Sequence, residues 1–490
     1  MNYWETFRLC IPEIIVVVAA LLVLLADFTL RGLEVRIRFW ICGLVASAGC
    51  VAAIAWILLA GNSAEASGGM VVSDALVRFI QNVLLAFTVF TILVSLESDF
   101  TDHVGEYLTL ILLGAVGMMF LAASEDLLTV FLSLELTSLS LYILTAFNKH
   151  SIRSAEAALK YFLFGGMSAA FTLFGFSLLY GLSGQTNLHG IAAALAGQGL
   201  DPLLAIAIVM VVIGFGFKVA AAPFHLWAPD AYQGAPTPSA AFIASGSKLA
   251  SFFIFAKFMA VGFAGVEGSG AYHAYARGWV PVIAAVAALS IVGGNLGAIV
   301  QSSVRRLLAY SAIAHAGYML IGILSHNQDS LAALLYYAIT YGLTVLGAFG
   351  VVAVVERGTG DEQLSSFAGL SRRAPLVSFC MLIFMLSLAG IPPLAGFFGK
   401  FYVFASALKS GASHLGLLWL VLLALGGSAV SLYYYLQVLK QIYLSEPPPG
   451  SPAWTVPVLT QIVLCILAGL ILLFGCAPEL LLRHLVLAGG

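Results

Sequence analysis

Five residues of this 490-residue chain combine a titratable side chain with a position where such a side chain is costly. Glu135 sits in "LLTVFLSLELTSLSLYILTAF" and Lys218 closes "VIGFGFK". Lys248 stands in "SAAFIASGSKLASFFIFAKF", His315 in "SVRRLLAYSAIAHAGYMLIGIL", and Lys400 follows "AGIPPLAGFFG". All five lie within apolar runs. Hydrocarbon does not solvate charge, so an ionisable residue there points to function, most simply to ion or proton transfer. A carboxylate, three amines and an imidazole can each bind and release a proton, the imidazole closest to neutral pH.

Glu135 falls about nine residues into its run, which at 1.5 Å per residue is roughly 13 Å deep and close to the middle of a bilayer. Ser133, Thr137, Ser138 and Ser140 around it suggest a polar lining. The competing reading is a structural hydrogen bond between helices. Lys218 precedes a cluster of chain breakers, with Pro223, His225 and Trp227 close behind. A break frees backbone carbonyls, which with water can stabilise an ammonium. Desolvation favours a neutral amine and a nearby glutamate favours the ammonium. Moving the glutamate would therefore switch such a lysine toward proton release. The competing reading is a lysine that snorkels to the interface. Lys248 is flanked by Ser245, Ser247 and Ser251, which favours a relay. Lys257, nine residues on, faces the opposite side of the helix and is expected to snorkel. Lys400 comes after the Pro392–Pro393 break. His315 and His225 are weighed between a relay role and a packing role.

These residues need a scaffold, and the composition supplies its class. Hydrophobic residues make up 61% of the chain and charged residues only 9%, against about 25% charged in soluble domains. Apolar stretches of membrane-spanning length recur throughout. The chain reads as an all-α polytopic membrane protein. The opening segment carries Glu5 and Glu13 ahead of its apolar run and has no basic leader, so it reads as a first span rather than a cleavable signal. The six cysteines form no CxxC pair, which leaves no iron–sulfur, zinc or disulfide signature. A haem held by two histidines would need a second well-placed intramembrane histidine. "GFGFK" follows no strand and opens no soluble helix, so a phosphate loop is not expected. The net charge of -2 says nothing about partners.

Fourteen spans are expected, with cores near 11–30, 38–60, 75–96, 105–123, 127–147, 156–181, 202–221, 239–263, 279–300, 307–325, 329–355, 375–395 continuing brokenly to 408, 415–443 and 455–476. One set of loops holds eleven basic residues: Arg31, Arg36, Arg38, Lys149, Arg153, Arg305, Arg306, Arg357, Arg372, Arg373 and Lys440. The other holds four: Arg8, Arg277, Lys409 and Arg483. An excess of Lys and Arg marks the cytoplasmic side, which puts both termini outside. The seventh and twelfth spans are each interrupted near proline, with a lysine beside the interruption. Paired interrupted helices at matching places point to structural repeats meeting at a midplane site. The chain divides into three N-terminal helices (1–100), a first five-helix repeat (105–263), a second (277–443) and a last helix (455–476), all within one membrane domain (1–490). The Pro–Lys order differs between the two interruptions, as an inverted arrangement would have it.

With these residues in place, "KVAAAPFHLWAPDAYQGAPTPSAAFIASGSK" (218–248), "SVRRLLAYSAIAHAGYML" and "LAGIPPLAGFFGKFYVF" resemble the antiporter-like subunits of respiratory complex I and of multisubunit cation/proton antiporters. The likeness spans essentially the whole chain. It is strongest to the subunit N (subunit 2) family of NADH–quinone oxidoreductase, for three reasons. Lys400 stands where subunit M is expected to carry glutamate, the "YQGAPTPSAAF" wording matches, and the chain is expected to end just after its last span, without the lateral helix of subunit L. The resemblance implies fourteen helices, two inverted five-helix repeats with broken helices 7 and 12, and a proton path through Glu135, Lys218, Lys248 and Lys400, with His315 less firmly carried. It implies no cofactor in this chain, with NADH, FMN, iron–sulfur clusters and quinone on other subunits. The implied partners are subunit M, small membrane subunits, the lateral helix of subunit L and the lipid bilayer of the bacterial inner membrane; nucleic acid is not among them. A subunit of a cation/proton antiporter, and a purely bridging membrane subunit, are the other readings.

Overall fold

The computed structural model describes residues 3–60, 64–66, 70–197, 199–271, 274–325, 329–410, 416–447 and 454–489. The side chain of Glu5 lies outside the described residues. The chain is helical almost throughout. In order, the α-helices are α1 (Tyr3–Leu9), α2 (Ile11–Thr29), α3 (Val35–Ala60), α4 (Ala75–Ser95), α5 (Val104–Ala122), α6 (Leu127–Thr145), α7 (Ile152–Ser183), α8 (Leu188–Leu195), α9 (Pro202–Lys218), α10 (Trp227–Gly234), α11 (Thr237–Phe242), α12 (Lys248–Lys257), α13 (Trp279–Ile299), α14 (Val304–Leu324), α15 (Ser330–Thr359), α16 (Leu370–Arg373), α17 (Pro375–Ala389), α18 (Ala395–Ser410), α19 (Leu418–Tyr443), α20 (Val458–Cys476) and α21 (Glu479–Gly489). Two short antiparallel hairpins fill connections: β1 (Ala64–Ala66) with β2 (Val71–Ser73), and β3 (Ser269–Ala271) with β4 (Ala274–Ala276).

Among the described residues, twelve helical segments are long and apolar enough to cross a membrane. Two shorter apolar helices, Pro202–Lys218 and Pro375–Ala389, complete the set. Those two are α9 and α17, the first halves of the interrupted seventh and twelfth segments. The fourteen expected spans are therefore present, with ends shifted by a few residues. The eighth is one run, Thr237–Gly262, in which α11 and α12 are joined by a π-helical turn at Ile243–Ser247 and followed by another at Phe258–Gly262. The sequence reading anticipated neither π-turn, neither hairpin, nor α21 after the last span.

Local chemistry sets where these helices start and stop. Carboxylates or a hydroxyl cap several N-termini: Asp74 accepts from Val77 N (2.7 Å), Asp126 from Leu128 N (3.0 Å) and Ser303 from Arg306 N (3.3 Å). Pro202 and Pro375 occupy first-turn positions, where a missing N–H costs nothing. Gly390, at φ 85, ends α17 in the left-handed region that favours glycine.

The eighth span, α14 and α15 form the buried centre of the bundle, while α2, α3, α19 and α20 lie at its margin. Where water supplies no hydrophobic drive, close helix packing relies on small residues. A Cβ on Gly294 of α13 would come within 2.4 Å of Ala314 N, and one on Gly317 of α14 within 2.8 Å of Ala287 O. Those glycines let α13 and α14 touch backbone to backbone. At the margin, Arg38 of α3 donates to Asp27 Oδ1 of α2 through Nε (2.9 Å) and Nη2 (2.6 Å), a buried ion pair. The sequence places Arg38 among the loop residues; the structure puts it inside α3. Glu13 is likewise buried, inside α2, and accepts from Gln81 Nε2 at 2.7 Å.

Candidate functional site

The two interruptions place amines in different ways. In the first, α9 ends at Lys218 and residues 219–226 turn away before α10. Ala220 adopts φ 56, strained for a residue with a Cβ. The freed carbonyls there are taken by the chain itself: Gly216 O accepts from Ala221 N (2.8 Å) and Phe217 O from Trp227 Nε1 (3.0 Å). The Trp227 ring stacks on Tyr161 with centroids 4.1 Å apart, which anchors α10 against α7. Lys218 therefore turns to α6. Its Nζ donates to Ser138 Oγ and lies 3.8 Å from Glu135 Oε1. The expectation that break carbonyls would hold Lys218 is not met; a hydroxyl and a carboxylate hold it instead.

At the second interruption the carbonyls do serve. Lys400 lies in the second turn of α18, and its Nζ donates to Leu388 O (2.9 Å), Ala389 O (3.1 Å) and Ser428 Oγ (2.9 Å). The first two are carbonyls that α17 leaves unpaired where it stops at Gly390. All three donor positions of the ammonium are thus filled by neutral oxygens.

Lys248 follows the first π-turn and donates to Ala312 O of α14. Neighbouring Ser245 bonds back to Ala241 O instead (2.7 Å). Lys248 Nζ also sits 5.0 Å from the Tyr341 ring centroid, and Lys400 Nζ 5.2 Å from that of Tyr318, both within cation–π reach. Among the described residues, no carboxylate lies within ion-pair distance of either lysine. His315 stands between these two aromatic contacts, its ring 5.0 Å from Tyr341 and 5.6 Å from Tyr318. Its Nδ1 is 2.8 Å from Tyr337 Oη and its Nε2 3.1 Å from Tyr435 Oη, and Tyr435 reaches Ser311 Oγ at 2.5 Å. Asn295 donates to Tyr318 Oη (3.0 Å) and accepts from Tyr434 Oη (3.1 Å).

The five residues singled out in the sequence thus fall into two groups, Glu135–Lys218 and Lys248–His315–Lys400. Sequence reasoning missed the tyrosines that join the second group. Their signal was present: Tyr337 and Tyr341 share one face of α15 four residues apart, and a buried tyrosine hydroxyl usually seeks a partner. His225 is half-buried in the first interruption and touches neither group; its Nδ1 is buried without a partner. Lys257, expected to snorkel, meets a carboxylate just ahead of α6. Its Nζ lies 2.7 Å from Glu125 Oε1, with His189 Nε2 3.4 Å from the same carboxylate's other oxygen.

A polar cavity of about 550 Å³ opens at the end of the bundle where α7 and α14 start and α15 stops. Thr237, Arg305, Glu356 and Glu362 line it. Arg305 pairs with Glu356 (2.9 Å) and donates to Tyr232 O (2.9 Å) and to Ala235 O, while Thr237 donates to Glu356. Thr237 opens the span that carries Lys248 eleven residues further on, roughly 16 Å along the helix. Among the described residues, no three His, Cys, Asp or Glu side chains converge as a metal site would require.

A chain with two interrupted membrane helices, each bearing a buried lysine, can be set against known proteins. A family model described as NADH:quinone oxidoreductase/Mrp antiporter, TM, matches residues 124–428. NADH-quinone oxidoreductase subunit N 2 of Acidobacterium capsulatum is 53% identical, with 99% of each chain covered. The chain belongs to the subunit N family of NADH-quinone oxidoreductase. Among solved structures, a chain of respiratory complex I from Thermus thermophilus with bound aureothin is 33% identical, with a TM-score of 0.78 and coverage of 98% of this chain and all of that one. A chain of the Mrp complex from Dietzia shares the fold at a TM-score of 0.80, with 20% identity and coverage of 99% and 97%. The antiporter-like architecture expected from the sequence is the one the subunit N family adopts.

Proposed function

We propose that this subunit N family member translocates protons across a bacterial inner membrane as part of NADH-quinone oxidoreductase. Protons pass along a mid-membrane row formed by Glu135, Lys218, Lys248, His315 and Lys400. The observation that carries this reading is the pair of buried amines, Lys248 and Lys400, held among the described residues only by neutral oxygens and aromatic rings, with a doubly hydrogen-bonded histidine between them. A charge buried without a counter-charge is expensive. A site built that way favours gaining and losing the proton over holding it.

Protons reach the row from the cavity at Arg305 and Glu356, on the side where the basic loops gather. Lys218 is held as a cation by Glu135. When Glu135 is drawn elsewhere, Lys218 passes its proton on, and His315 with Tyr337 and Tyr435 bridges toward Lys400. Each proton driven against 100 mV needs about 2.3 kcal/mol. That energy arrives through contacts with neighbouring subunits, which hold the NADH, FMN, iron–sulfur clusters and quinone. Glu135 is the natural point of contact. Its side chain is 26% exposed at mid-span, on a face of α6 where Leu128, Leu132, Leu139 and Ile143 are also exposed. A carboxylate facing outward at that depth calls for a protein neighbour rather than lipid.

The division into residues 1–100, 105–263, 277–443 and 455–476, with the two five-helix units inverted about the midplane, is part of the same reading, as is the placement of both termini on the periplasmic side. Subunit M, the small membrane subunits and the lateral helix of subunit L are the proposed neighbours.

The test uses the assembled complex in sodium-free liposomes, with NADH and quinone supplied and internal pH followed by a dye. Acidification is expected without sodium, and Lys248→Met is expected to lower turnover and pumping together by roughly tenfold, equivalent to about 1.4 kcal/mol of barrier. A sodium requirement would favour cation/proton exchange instead, and an unchanged Lys248→Met complex would remove Lys248 from the path.

A further inference from the structure

We propose that the N-terminal helices α1 to α4 carry a binding site for an anionic membrane phospholipid, separate from the row of buried amines. The site is a cavity of about 710 Å³ between α1, the start of α2, the end of α3, β2 and the start of α4. That volume is within the usual range for small-molecule pockets. Its lining is divided. Trp4, Phe7, Trp56 and Leu59 offer apolar surface, and each is well exposed at the rim. Arg8 and Arg78 bring two guanidinium groups into the same cavity.

Among the described residues, Arg78 has no partner for its charge. Its Nη1 is buried without a hydrogen bond, and no carboxylate among the described residues lies within ion-pair distance. Neither Asp74 nor Glu13 lies within ion-pair distance of it, although Glu13 Oε2 is itself buried without a hydrogen bond. Asp74 caps α4 through Val77 N (2.7 Å), and Glu13 accepts from Gln81 (2.7 Å). A guanidinium nitrogen buried this way needs an acceptor, and an anion meets its charge as well. Planar N–H donors match phosphate oxygens well.

The position selects the source of that phosphate. Arg8 lies just before the first span and Arg78 in the first turn of the third, so both sit at the end of the bundle, at headgroup level. Tryptophans Trp4 and Trp56 mark the same level, where amphipathic rings gather. Exposed Leu58 and Leu59 continue from the rim along α3. A phosphodiester on the guanidinium groups would leave its acyl chains along that apolar surface. Free phosphate would use the arginines and leave the apolar half idle.

The experiment photolabels the assembled complex in liposomes with phosphatidylglycerol or phosphatidylcholine carrying a diazirine on one acyl chain, and maps labelled peptides. Phosphatidylglycerol is expected to label the α1 and α3 lining about tenfold more than phosphatidylcholine, and Arg78→Gln is expected to remove the preference. If that variant fails to assemble, Arg8→Gln read the same way takes its place. Equal labelling by the two lipids overturns the proposal, and so does a preference that survives both substitutions. Loss of labelling with excess inorganic phosphate would assign the site to a soluble anion, and crosslinking of the lining to a neighbouring protein would assign it to a subunit; either result overturns it.

Discussion

Lys400 and Lys218 are both lysines beside a break, yet they are solvated differently, and that difference can be tested one side chain at a time. Lys400 depends on two carbonyls and Ser428. Ser428→Ala removes one neutral acceptor from a charged donor, an interaction of about 1.5–3 kcal/mol. It is expected to slow NADH–quinone turnover about tenfold or more in assembled complex, while Ser428→Thr, which keeps a hydroxyl, retains most of it. Tyr337→Phe takes one of the two hydroxyls from His315 and is expected to cut pumping and turnover in parallel by roughly twofold to tenfold, from a hydrogen bond of about 0.5–1.5 kcal/mol; unchanged steady-state rates would exclude the tyrosine from the row. The charged members of the row could be read from the sequence because a titratable group in an apolar run stands out on energetic grounds. Tyrosine is at home in such a run, so Tyr318, Tyr337, Tyr341 and Tyr435 became visible only once helices far apart in sequence were packed together. The partner of Lys257 was hidden for the same reason: Glu125 lies 132 positions earlier and precedes a different helix.

At the scale of elements, span positions followed directly from apolar length, and both interruptions from proline. What proline could not reveal was who would use the freed carbonyls. At the first interruption Trp227 and the local backbone consume them; at the second Lys400 does. The π-turn just before Lys248 also left no mark, since "IASGS" carries no breaker other than Gly246. Two element-level predictions follow from packing. Gly294→Val pushes a side chain into the backbone of α14 and is expected to cost about 1–3 kcal/mol, seen as a lower unfolding temperature of the complex in detergent. Breaking the buried α2–α3 ion pair with Asp27→Asn or Arg38→Ala is expected to cost about 3–5 kcal/mol, whereas a paired apolar replacement of both residues restores much of it. Equal loss in the single and double variants would show that the pair contributes packing rather than charge.

For the whole molecule, the eighth, tenth and eleventh spans form the buried centre, with Lys248 on it and Lys400 against Tyr318 of it, while Glu135 reaches the outer surface. This arrangement suits a device that receives energy at its side and moves charge through its middle. In the proposed mechanism the decisive step is the coupling of Glu135 and Lys218, because it joins the outer face to the row. Composition revealed the membrane class and basic-residue asymmetry leads to a proposed orientation, but a one-chain sequence shows no neighbour, so the outward face of α6 emerged only from exposure in the folded chain. The measurement that tests the account most directly is NADH–quinone turnover and proton pumping per electron, side by side, in liposomes containing complex with Lys218→Ala. The account predicts that the complex assembles and that both quantities collapse together. Unchanged turnover with unchanged protons per electron would contradict it, and the break after α9 would then serve only to shape the fold.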